Sequence, residues 1–305
     1  MINFRYHIVS VTAVFLALAI GLILGTAALN GPTVDALSDT VSSLRADNQA
    51  LRDEVVQLEE DASTDPELAS QIAPAALANT LEDERVLVLS IGSADPADVE
   101  SVVKMLGYSK ASVTGQLNFL EGFADPANSG PLLDVVKETT PPDVEPPNNA
   151  NGAESVAGLL AAVLLENDAE ITTNDRKALL TALAELQLVS YEAIPTKTAT
   201  AVVIVAGKPF SDATAPEKNA NVVTFADQFA LAGPTVLAAP TTVGEGNPVV
   251  TVIADPDLTT KLSTVDNVSR PEGQLATVLA LVERIGGDAG HYGTGDEATS
   301  LVPQP

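Results

Sequence analysis

The chain has no cysteine and no tryptophan, two histidines, two methionines, and 15 basic residues against 41 acidic ones. Each shortage closes a class of function. Without cysteine there are no disulfides, thiolate metal sites or thiol nucleophiles. His7 and His291 stand near opposite ends of the chain, so a Ser-His-Asp triad has almost no material to form from. Copper(I) prefers cysteine and methionine, and copper(II) prefers nitrogen ligands. Met1, Met105 and two distant histidines are a poor set for either. A formal charge of −26 repels nucleic acid and anionic headgroups. Phosphate loops, a GxGxxG following a strand, nucleophile elbows and DxDxDG calcium loops are all missing, so no cofactor and no dedicated metal site are expected.

What is present is concentrated at the amino terminus. Ile8 to Leu29 is a run of 22 residues without a charge, enough at about 1.5 Å per residue to span about 30 Å of hydrocarbon. Signal-peptide cores run only about 7–15 residues, so the segment reads as a retained membrane helix. Thr26-Ala27-Ala28 is the cleavage site that the competing signal-peptide reading would use. Arg5 precedes the span and Asp35 and Asp39 follow it, which places residues 1–7 in the cytoplasm and the bulk of the chain outside the plasma membrane. Gly21 and Gly25, four apart, would let another helix approach closely, either a second copy or a different membrane partner.

Apolar positions then recur at Val34, Leu37, Val41, Leu44, Asn48, Leu51, Val55 and Leu58. With Val34 as heptad position a, leucine fills every d. Valine or a single asparagine fills every a. β-Branched a with leucine d favours two parallel strands, and one buried asparagine fixes the register. Asp47 at g faces Arg52 at e of the partner, whereas Glu54 and Glu59 weaken the far end. The reading is a parallel dimeric coiled coil over residues 34–60, with a rod about 37 Å long. The competing reading is one amphipathic helix packed on its own domain.

Residues 61–82 read as a helical connector punctuated by Pro66 and Pro74. Residues 83–288 then alternate short apolar strands and helices. Arg85–Ile91, Ser109–Leu120, Ala201–Ala206, Thr235–Ala239 and Val249–Ala254 are expected strands. Expected helices are Asp95–Leu106, Ser155–Glu166, Asn174–Leu188 with a Thr172/Asp175 capping box, Asn221–Ala232, and a last one starting at a Ser269/Glu272 capping pair and stopping at Gly286-Gly287. Pro141–Gly152 is expected to be an exposed loop, and residues 289–305 a glycine-rich tail extended over the surface. This alternation predicts an α/β fold with a mainly parallel, Rossmann-like sheet covered by helices on both faces. About 225 residues suffice for a core without disulfides or metals.

Such sheets bind ligands beyond the carboxyl ends of their strands. The residues expected there are Gly92, Ser93 and Asp95, then Gly207 and Lys208, then Thr241 and Thr242, then Asp255 and Asp257. Each is also an ordinary turn or cap residue. No catalytic residue can be named, and a non-enzymatic role is expected.

The opening stretch MINFRYHIVSVTAVFLALAIGLILGTAALNGP, continued by LRADNQALRDEV in the coil and HYGTG in the tail, resembles the actinobacterial envelope family known as copper transporter MctB. Its corynebacterial members are also called the cell-separation protein SteB. The resemblance implies either copper homeostasis or a membrane-anchored partner of a second membrane protein, SteA, controlling peptidoglycan hydrolysis in cell division. The residues favour the second: a dimeric anchored scaffold. Copper handling is the alternative. A small-ligand sensor using the loops near Gly92, Gly207 and Asp255 is a third, and it requires a concave site there.

Overall fold

The structure, a computed structural model, describes residues 4–29, 41, 45, 67–241 and 246–303. It divides into two compact units, Met1–Thr64 and Asp65–Pro305. In the first, α1 spans Phe4–Leu29. Its stretch Tyr6–Thr26 is long and apolar enough to cross a membrane. Thr12 and Thr26 turn their hydroxyls back to the carbonyls of Ile8 (2.8 Å) and Leu22 (2.9 Å), so these polar groups are satisfied within the helix, as hydrocarbon surroundings would require. Of the heptad positions, Val34, Leu37, Leu44, Asn48, Leu51, Val55 and Leu58 lie outside the described residues. Val41 is helical and exposed.

The second unit opens with helical residues 67–76 (α2). Ala73, Leu77 and Leu81 from this region are buried in the domain core, so the described part of the connector, residues 67–82, packs as part of the domain. There follow β1 Arg85–Ile91, α3 Pro96–Tyr108, β2 Ser112–Phe119, α4 Glu121–Ala124, a 3-10 turn Pro126–Asn128, α5 Ser129–Thr139, α6 Gly152–Leu164, α7 Thr173–Glu185 and β3 Val189–Tyr191. The order continues with β4 Ala201–Ala206, α8 Ala215–Ala232, β5 Thr235–Ala238, α9 Pro248–Ala254, α10 Pro256–Thr259, β6 Ser263–Val265, α11 Pro271–Ile285 and β7 His291–Tyr292.

The strands form one seven-stranded sheet in the order β3-β2-β1-β4-β5-β6-β7. All neighbours are parallel except β3, which runs antiparallel to β2. Strand alternation divides the core. Leu87, Leu89 and Ile91 of β1 and Val202 and Ile204 of β4 point to one face, packed by α5 to α9. Val86, Val88, Val203 and Val205 point to the other, packed by α2, α3 and α11. On the first face Phe119, Phe123, Phe225 and Phe229 stack with centroids 4.8–5.4 Å apart. Thus seven phenylalanines suffice because four of them share one layer.

Several expectations need correction. Val249–Ala254 is helix α9, not a strand. Pro248 stands at the first helical position, the Asn247 side chain accepts from Val249 N–H at 2.9 Å, and the buried residues Val249 and Val252 are three apart. A six-residue apolar run fits either period, and cap chemistry with proline at the start decides for helix. The Ser269/Glu272 pair does not cap α11. Pro271 begins that helix, so Arg270 is the N-cap. Ser269 Oγ instead donates to Asp98 on α3 at 2.7 Å, and Glu272 accepts from Arg270. The proline-rich loop is not wholly exposed: Val144 is buried, and a Cβ on Gly158 of α6 would lie 2.4 Å from Pro147. Within the tail, His291–Tyr292 adds the edge strand β7. Helix α5 and strands β3 and β6 are elements the sequence pattern did not mark. The Thr172/Asp175 capping box forms as read.

Candidate functional site

The crossover after β1 runs through α3 on one face, and the crossover after β4 runs through α8 on the other. The topological switch point, where doubly wound sheets hold ligands, therefore lies between the carboxyl ends of β1 and β4. Three of the expected loop residues meet there, and they close it. Gly92 and Ser93 turn back with φ of 67° and 57°, in the left-handed region where glycine is at ease and serine is strained. Gly207 donates to the Ile91 carbonyl at 2.9 Å and comes so near that a Cβ on it would sit 1.8 Å from the Gly92 oxygen.

Phe210 covers the join, its ring 3.6 Å from the Cβ position of Gly92. Asn219 of α8 holds the Phe210 backbone at both ends, accepting from its N–H at 2.9 Å and donating to its carbonyl at 3.3 Å. What remains is a void of about 10 Å³, room for one water at most. The concave site that a small-ligand sensor requires at Gly92 and Gly207 is thus filled by the protein itself.

A charge clamp that the sequence gave no signal for stands beside it. Lys218 of α8 is 8% exposed. It reaches Asp212 at 2.7 Å and Asp125 at 3.2 Å and lies 5.5 Å from the Phe210 ring centroid. The Asp212 hydrogen bond raises the Lys218 ammonium above its ordinary pKa. That same bond lowers Asp212, while Asp125 is lowered first by the backbone N–H of Ala127 and then by Lys218. All three groups stay ionised in the fold, tying the loop after β4 to the turn after α4.

The remaining expected residues are structural. Asp95 caps α3 by accepting from Ala97 N–H at 2.9 Å. Lys208 is exposed. The Thr241 hydroxyl lies 3.5 Å from that of Thr294, and Thr242 lies outside the described residues. Asp255 and Asp257 are not at a strand end, because α9 replaces the expected strand. Asp255 instead caps α10 through Asp257 N–H at 2.9 Å. On α1, among the described residues, nothing lies within 4 Å of the Cβ positions of Gly21 and Gly25.

Among the described residues no three histidine, cysteine, aspartate or glutamate side chains come together as a metal would require. Met105 is buried in the core. His291 Nδ1 is 2.8 Å from the Thr264 hydroxyl, and burial lowers its pKa.

Open concavities lie elsewhere among the described residues: one of about 540 Å³ beside Asp125 and Asn221, one of about 500 Å³ along the proline-rich loop, and one of about 500 Å³ a strand away from the switch point. On the α3 side of the sheet, among the described residues, no helix covers Gln116 and Asn118 of β2 or Ser190 of β3, and an open trough of about 500 Å³ results. Its floor is a polar row in register across three strands. Ser90 Oγ donates to Asn118 Oδ1 at 2.9 Å, and Asn118 Nδ2 donates to Ser190 Oγ at 3.3 Å. Gln116 adds an exposed amide on the same face. Val99, Glu100 and Val103 of α3 form one wall, and Glu192 lies beyond β3. A signal for this was legible: Gln116 and Asn118 alternate with Leu117 and Phe119, a half-exposed pattern unlike the unbroken apolar runs of β1 and β4.

A family model described as copper transport outer membrane protein, MctB, matches residues 1–303. The chain belongs to the MctB family. Copper transporter MctB of Mycobacterium tuberculosis and that of Mycobacterium bovis are each 28% identical over 312 residues, covering 99% of both chains. The Mycobacterium leprae protein of the same name is 29% identical over 318 residues, all of both chains. The MctB likeness therefore includes α1, residues 34–60, the sheet and the tail together.

Proposed function

We propose that the protein is a non-enzymatic, single-pass scaffold of the cell envelope. In this reading α1 anchors it in the plasma membrane with the amino terminus in the cytoplasm. Residues 34–60 pair two copies as a parallel coiled coil, and the α/β unit meets a membrane protein of the division machinery, SteA-like in role, to regulate cell separation. The observation that carries the reading is the filled switch point. An exposed apolar helix is joined to a domain whose usual ligand crevice is occupied by its own Gly92–Gly207 contact and Phe210, which suits a protein that presents surfaces rather than one that turns over a ligand. In-cell crosslinking of the full-length chain, affinity capture and mass spectrometry test it. A division-linked membrane protein as the dominant product supports the scaffold, and recovery of the self-dimer alone refutes it.

A second reading, copper handling, is favoured by the names of the mycobacterial relatives. It predicts stoichiometric copper binding by the purified chain in isothermal titration, or copper flux through reconstituted vesicles. Absence of both removes it.

A further inference from the structure

We infer that the trough over β2 and β3 is a docking surface for a basic, lysine- or arginine-bearing segment of a partner protein. The inference rests on the scaffold reading and adds to it where the partner is held and by what chemistry. Parallel sheets are ordinarily covered on both faces, yet here Gln116, Asn118 and Ser190 are exposed on the uncovered face while Leu117, Phe119 and Val189 are buried on the other. The trough has the volume of a binding groove.

Charge selects the occupant. Glu100 and Glu192 flank the floor on opposite sides, and among the described residues no lysine or arginine lines it and neither carboxylate is in an ion pair. The exposed Gln116 amide, which makes no side-chain hydrogen bond among the described residues, and the Ser90–Asn118–Ser190 row offer donors and acceptors to a peptide backbone. Val99 and Val103 offer apolar contact to aliphatic stems of lysine or arginine. A second copy of this chain is disfavoured as occupant because its own net charge of −26 would bring like charges together.

The experiment places a photoreactive benzoylphenylalanine at Gln116 of the full-length protein in cells, with a second probe at exposed Lys137 on the opposite face of the domain. The crosslinked peptides are then sequenced. The expected result is a product specific to Gln116 whose partner peptide carries lysine or arginine. Its yield should fall at least about tenfold in Glu100→Lys/Glu192→Lys, and a few-fold in the milder Glu100→Gln/Glu192→Gln, with the melting temperature of the domain unchanged. The inference is overturned by crosslinks to a second copy of this chain, by partner peptides without basic residues, by yields indifferent to both double variants, or by no Gln116 product. If the division partner is still captured through other positions while Gln116 yields nothing, the docking surface fails and the scaffold stands.

Discussion

Replacing Gly207 by alanine tests the filled crevice most directly. The added methyl would sit 1.8 Å from the Gly92 oxygen, 2.7 Å from the Ser93 carbonyl carbon and 2.8 Å from Ala94 N. Non-bonded heavy atoms rest at about 3.5 Å, so the carboxyl ends of β1 and β4 must separate by about 1.7 Å. All three obstructing atoms are backbone. They are fixed by the left-handed Gly92 and Ser93 and by the Gly207–Ile91 hydrogen bond, so no rotamer change relieves the clash. Overpacking typically costs about 1–3 kcal/mol, and this case belongs at the upper end. For a domain of this size about 3 kcal/mol lowers the melting temperature by roughly 6–12 °C.

Gly107→Ala is the control. Gly107 lies within α3 with nothing within 4 Å of its Cβ position, and the change should stabilise by up to about 1 kcal/mol. Thermal unfolding of the full-length protein in detergent, followed by circular dichroism, measures both. A Gly207→Ala variant that melts within a degree of the parent would refute the reasoning. The strand ends would then be apart in solution and the crevice open to a ligand.

Other outcomes follow from the same residues. Leu44→Asp with Leu51→Asp should abolish dimers in light scattering of the detergent-solubilised chain, and a double variant that still dimerises would dispose of the coiled coil. Phe225→Ala, which removes the ring shared by Phe119, Phe123 and Phe229, should cost about 4 kcal/mol in urea unfolding. Burial holds the His291 pKa below its ordinary 6.5, so the unfolded chain binds the proton first. The stability this group contributes is complete above pH 6.5 and declines as pH falls toward the folded value. Asp125, Asp175 and Asp212 are depressed below 3.8, and their contribution is lost only in stronger acid. Melting temperature against pH should therefore fall in two stages, and His291→Gln should flatten the first alone.

Much of this protein was legible in one dimension. Interactions between near neighbours need no tertiary context, so the membrane-length helix, the Thr172/Asp175 capping box, Asp95 as an α3 cap and the apolar strands β1, β4 and β5 all follow from local pattern. The Val249–Ala254 run failed because six apolar residues satisfy a strand and a buried helix equally. Asn247 as cap and Pro248 at the first helical position carry the local signal for helix, and the packing of Val249 and Val252 against the core agrees with it. Strands β3, β6 and β7 are two or three residues long, below the length at which any period is visible, and they exist because a neighbouring strand offers them hydrogen bonds.

The candidate sites divide in the same way. Sequence determined that Gly92 and Gly207 would stand at strand ends, since glycine after an apolar run marks a turn. It did not determine that the two backbones would touch and close the crevice, because that distance depends on β1 and β4 being neighbours despite about 110 intervening residues. Lys218 finds Asp125 and Asp212, and the uncovered floor of Gln116, Asn118 and Ser190 comes into line, for the same reason. Long-range pairing sets those positions, and it is written in no local stretch of the chain.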